Sequence, residues 1–154
     1  MCSEKIHQSL YTVYSDAYSS LPRLVKVALR WYEFSGTHLR QLKAFAHWTQ
    51  EREHPENYVV EFVTGDGVTF DFGFICTDCA VIQFYQRMHA EVHVPYVCIG
   101  DFAASRALRT GLRRTTTLSN GAALCDFRYK KTQESLPGLP LEDLPEYKNR
   151  RFLG

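Results

Sequence analysis

The sequence predicts an α+β fold, with helices packed on one face of a small antiparallel sheet. Three observations carry that expectation. Helical spacing of apolar residues dominates the first third of the chain. Two hairpin-like stretches follow, at 58–73 and 112–129. A helical stripe lies between them, so helices and strands segregate rather than alternate as a parallel sheet would require.

Taken in order, Tyr11, Tyr14 and Tyr18 are spaced as on one helix face. Pro22 sits where a first-turn proline opens a helix, which runs to about Phe34 and ends at Gly36. Its expected core stripe is Leu24, Val25, Ala28, Leu29 and Tyr32. Thr37 is the expected cap of the next helix, about 38–52, on which Leu39, Leu42, Phe45, Ala46 and Trp48 recur at helical spacing. Tyr58–Val63 reads as a strand, Gly65-Asp66-Gly67 as its turn, and Val68–Phe72 as the returning strand. Thr77 is the expected cap of a helix over about 78–90, striped by Val81, Phe84, Tyr85 and Met88. Pro95 breaks the chain, and Tyr96–Leu108 reads as a short strand or a further helix. Arg113–Leu118 and Leu124–Tyr129 then form the second hairpin across Ser119-Asn120-Gly121. Residues 1–131 make one domain. Residues 132–154, with Pro137, Pro140 and Pro145, read as an extended tail strapped down by Leu136, Leu139, Leu141 and Leu144.

Composition narrows the function classes. A formal net charge of +1 supplies no field for nucleic acid or an anionic membrane. No apolar run is long enough to span a bilayer, and Met1–His7 lacks an apolar signal core, so a cytoplasmic location is expected. Five cysteines, an odd number, argue against a secreted disulfide framework. Ten Phe and nine Tyr fit a ring-walled pocket, which makes a small molecule the expected partner; homo-oligomerisation is left open.

Several motifs are ambiguous. Cys76-Thr77-Asp78-Cys79 has the spacing of a redox pair, yet no βαβ unit surrounds it and Asp78 opposes thiolate formation, so two structural thiols are the simpler reading. Cys76, Cys79, Cys98 and Cys125 lack the closely spaced second pair of a zinc ribbon. His89 and His93, with Glu91 between, do not match HExxH. No metal and no cofactor is expected. The remaining constellation is Cys98, Asp101, Arg113 or Arg114, Thr117, Cys125, Asp126 and Arg128. A thiolate is a nucleophile, a carboxylate moves protons, and an arginine holds a substrate carboxylate bidentately. Strand alternation places Cys125 with Phe127 on one face and Asp126 with Arg128 on the other, so this set cannot all converge without a bulge or bend.

An ordered series of motifs over about 75–131 resembles the L-2-amino-thiazoline-4-carboxylic acid hydrolase family: Cys79, then His93–Asp101, then Arg114–Gly121, then Cys125-Asp126-Phe127-Arg128-Tyr129. The last piece also resembles the ligand-binding 4-vinyl reductase domains. The resemblance implies hydrolytic opening of a thiazoline-type ring, with Cys79, Cys98, Asp101, Gly121, Cys125, Asp126 and Arg128 as motif positions. Ala80 and Ala122 replace the proline and the acidic residue common in the family, which points to a different cyclic or conjugated substrate. The expected machinery is Cys98 first and Cys125 second as nucleophile, Asp101 as proton shuttle, and Arg114 or Arg128 as carboxylate clamp. Thr117, Asp126 and Cys79 complete the substrate-binding set. The alternative is a binding module with an aromatic pocket and no reaction.

Overall fold

The computed structural model describes residues 2–148, with side chains from residue 8 onward. Its elements are α1 (Cys2–Ser19), α2 (Arg23–Glu33), α3 (Gly36–Thr49), β1 (Val59–Thr64), β2 (Phe72–Asp78), α4 (Ala80–Arg87), α5 (Val94–Cys98), α6 (Gly100–Leu108) and β3 (Cys125–Tyr129). The strands form one antiparallel sheet in the order β1-β2-β3. The fold is α+β, as the order of helical and strand patterns requires.

Register organises the inner face of the sheet into three layers. Val60, Cys76 and Cys125 sit abreast, then Phe62, Phe74 and Phe127, then Thr64, Phe72 and Tyr129. Phe72 is almost fully buried, with its ring 5.0 Å from Tyr129, 5.3 Å from Phe34 and 5.9 Å from Phe74, measured between ring centroids. Such aromatic contacts add to area burial and fix which residues can oppose each other. A second core lies beyond it, where Ile99, Phe102 and Leu112 meet Leu141, Leu144 and Tyr147. The tail residues 139–147 therefore complete the core instead of lying over it; Leu136, by contrast, is exposed.

Several boundaries differ from the sequence expectation, each for a local reason. The returning strand starts at Phe72, not Val68, because Asp66 organises the preceding loop. Its carboxylate accepts from the Val68 and Thr69 amides at 2.8 and 2.7 Å and from the Thr69 hydroxyl at 2.7 Å. These bonds hold the Asp66 carboxyl down at about 2. Gly36 opens α3 instead of ending α2, and Ser35, not Thr37, caps it by accepting from the His38 amide at 3.2 Å. Thr77 lies in β2, so Cys79 takes the cap position of α4. Pro95 sits in the first turn of α5, where its missing N–H costs nothing. The segment 113–116 runs beside β3 through one bridge, Arg113 with Arg128, and an Asp126 amide bond to the Thr116 carbonyl. Only β3 is a regular strand there, and its ladder partner is β2.

The stripe expected to anchor α2 faces outward: Leu24 is 82% exposed, and Val25, Leu29 and Tyr32 are exposed as well. The half-buried positions are Lys26, Val27, Arg30 and Glu33. Lys26 reaches back to the Ser19 carbonyl at 3.0 Å. Burial lifts the Glu33 carboxyl to about 7. Phe84 of α4 and Met88 at its C-cap are likewise exposed. Among the described residues, no helix is long and apolar enough to cross a membrane.

Candidate active site

A cavity of ≈ 370 Å³ lies between the inner face of the sheet and the helices α1, α4, α5 and α6. That is within the range of small-molecule sites. The sheet contributes Val60, Phe74, Cys76, Cys125, Phe127 and Tyr129. The helical side contributes Tyr14 and Tyr18 from α1, Cys98 at the end of α5, and Asp101 from α6. Tyr58, Cys79 and Arg114 close the ring.

Four thiols thus reach one pocket. Strict alternation sends residues three apart in a strand to opposite faces. Here the ladder slips: Val60 pairs with Cys76 but Val59 pairs with Asp78, leaving Thr77 as the extra residue of a bulge. The bulge restores Cys76 and Cys79 to the same side, a re-aiming common beside functional sites. Cys125 is the direct cross-strand partner of Cys76. Its Sγ accepts from the Leu118 amide at 3.2 Å.

The thiols differ sharply in acidity. Cys79 is held down at about 6 by its neighbour Cys76 and, against the cost of its burial, by the nearby Ile82 and Val81 amides at the start of α4, although its sulfur makes no cap hydrogen bond of good geometry there. The start of a helix stabilises a thiolate in this way. Cys76 keeps its proton, which its Sγ donates to the Asp78 carbonyl oxygen at 3.2 Å; its neighbour Cys79 and its burial raise it. Burial pushes Cys98 up to about 12, although Arg114 offsets part of the effect. Burial raises Cys125 as well. The thiol most easily ionised is Cys79, a position the sequence marked for binding; the two thiols expected to be nucleophiles are held protonated.

Asp101 lines the cavity with half of its side-chain surface exposed. Loss of bulk water there raises its carboxyl above the usual range, against the pull of Arg114. Cys79 and Asp101 lie close enough for each to feel the other's charge.

Arg114 is 2% exposed and lies between the rings of Phe102 and Phe127, at 5.2 and 4.9 Å from their centroids. Its Nε and Nη2 grip Glu146 bidentately at 2.5 and 2.7 Å. Nη2 also donates to the Cys98 carbonyl at 3.2 Å, and Nη1 to Asp101 at 3.3 Å. Burial raises the Glu146 carboxyl even as Arg114 pulls it down, whereas both carboxylates hold Arg114 charged. The two-bond fork favours the ion pair.

Three expected binding residues stand outside the pocket. Asp126 accepts from the Thr115 and Thr116 amides, both at 2.7 Å, and pins that loop. Arg128 donates to the carbonyls of Phe127 and Phe74 at 2.8 and 3.4 Å, with its guanidinium over the Phe70 ring. Thr117 is buried, caps the turn at 118–120, and lies 3.6 Å from the Cys125 sulfur. All three are held by bonds around β3. Sequence reasoning missed Glu146 and the tyrosines Tyr14, Tyr18, Tyr58 and Tyr129; only the aromatic-rich composition hinted at the latter. Among the described residues, no three His, Cys, Asp or Glu side chains are arranged to hold a metal ion.

No curated protein and no solved structure matches the chain. The family model of L-2-amino-thiazoline-4-carboxylic acid hydrolase matches residues 10–129. That span contains every residue lining the cavity, from Tyr14 to Tyr129, while Glu146 falls beyond it. With most of its length and its whole pocket inside the match, the chain belongs to the L-2-amino-thiazoline-4-carboxylic acid hydrolase family.

Proposed function

We propose that this protein hydrolyses a small ring containing an electrophilic C=N carbon, using Cys79 as nucleophile and Asp101 as proton carrier. The carrying observation is Cys79 at the start of α4, lining the cavity with Asp101 and held down at about 6 while the other pocket thiols are raised. The Cys79 thiolate adds to the ring carbon, forming a carbon–sulfur bond. With the ring bound in its protonated form, the Asp101 carboxylate takes a ring N–H proton and passes it to the ring heteroatom, which leaves with the bonding electron pair. Ionised Asp101 then accepts a proton from water, whose hydroxide displaces Cys79 as thiolate and yields the opened product. A carboxyl raised by burial suits a group that takes up and returns a proton in each half of that cycle.

Opening a thiazoline frees a thiol, so turnover is followed with a thiol-reactive dye after separating product from protein. kcat/KM should fall as pH drops through about 6, because protonation of Cys79 removes the nucleophile. Six aromatic side chains, Tyr14, Tyr18, Tyr58, Phe74, Phe127 and Tyr129, also line the pocket, as a pure binding module would require. Tight binding of thiazoline probes without any thiol release would favour that second reading and reject the first.

A further inference from the structure

The family's name describes a carboxylate substrate, and Arg114 is the one cationic side chain lining the cavity among the described residues. It is already engaged. Of its five N–H groups, two bind Glu146, one binds the Cys98 carbonyl and one binds Asp101. Phe102 and Phe127 cover its faces. Two carboxylates face this single guanidinium, so an incoming carboxylate would have to displace Asp101 or lie against it. Like charge in a partly desolvated site is repulsive, and such mismatch is how sites reject ligands. Asp101, half exposed and lining the cavity, offers the opposite: an acceptor for N–H groups. The surrounding tyrosines suit a flat or cationic ring.

We infer that the pocket takes a ring bearing an amidine-like N–C=N group and no carboxylate, with its N–H groups turned to Asp101 and its central carbon toward Cys79. This assignment rests on the hydrolase reading above for the role of Cys79, and not for the choice of ligand charge.

Isothermal titration of the full-length protein at neutral pH with 2-amino-2-thiazoline and with 2-amino-2-thiazoline-4-carboxylate tests it. The carboxylate-free ligand should bind about tenfold or more tightly, and Asp101→Asn should reduce that preference to about threefold or less. Equal or tighter binding of the carboxylate ligand overturns the inference, as does failure of both to bind at millimolar concentration. An unchanged preference in Asp101→Asn overturns the role given to Asp101. If the preference holds but neither ligand is opened, the hydrolase reading fails and the ligand class stands. If the carboxylate ligand binds better and is opened, the ligand class fails and the hydrolase reading stands.

Discussion

Glu146→Ala should destabilise the protein by about 3–5 kcal/mol, the usual cost of removing one partner from a buried ion pair. Arg114 would keep its charge while losing both bonds to Glu146, and it is too buried for water to replace them. For a chain of this size that corresponds to a fall in melting temperature of roughly 6–20 °C. Glu146→Gln, which keeps shape and one acceptor, should cost less. The two substitutions are compared by thermal and urea unfolding. Equal stability of Glu146→Ala and the unsubstituted chain would show that the tail does not anchor Arg114.

Replacing Cys79 by Ala should lower turnover by about a thousandfold or more while leaving the melting temperature close to that of the unsubstituted chain. Losses of this order follow when a covalent nucleophile is removed and only binding and electrostatic stabilisation remain. Cys79 is half-buried at the rim between β2 and α4, so the missing sulfur leaves no closed core cavity. Cys98→Ser and Cys125→Ser should each retain turnover within about tenfold, because neither thiol is ionised at neutral pH. Loss of activity in Cys98→Ser with full activity in Cys79→Ala would transfer the nucleophile to Cys98.

How far the sequence reached is clearest at β3. Alternation alone separated Cys125 from Asp126, and the structure places Cys125, Phe127 and Tyr129 in the pocket, with Asp126 and Arg128 bonded elsewhere. Arg128, expected as a clamp, lies outside the cavity and donates to the Phe127 and Phe74 carbonyls, because a motif records that a residue is needed, not whether it faces ligand or loop. Cys79 shows a second limit. Its acidity depends on where α4 begins, and a cap at Thr77 would have put Cys79 inside the helix, away from the free amides. The bulge at Thr77 that joins Cys76 to it is a matter of register between strands, which no local pattern encodes. Glu146 lies 32 residues from Arg114, so nothing in the spacing announces the pair. That the tail's Leu139, Leu141 and Leu144 need burial was legible, because apolar residues in a proline-rich segment must go somewhere, but not that they complete a core or that Leu136 stays exposed. The exposed stripe of α2 is the converse, since periodicity says which face is apolar but not what the fold sets against it.

The claim that Cys79 is the reactive thiol is tested most directly by limited alkylation with iodoacetamide from pH 5 to 9, with each cysteine-containing peptide quantified by mass spectrometry. Cys79 should react first, and its rate should rise through a midpoint at about 6. A faster reaction at Cys98 or Cys125, or a Cys79 midpoint near the ordinary thiol value of about 8.5, would contradict it.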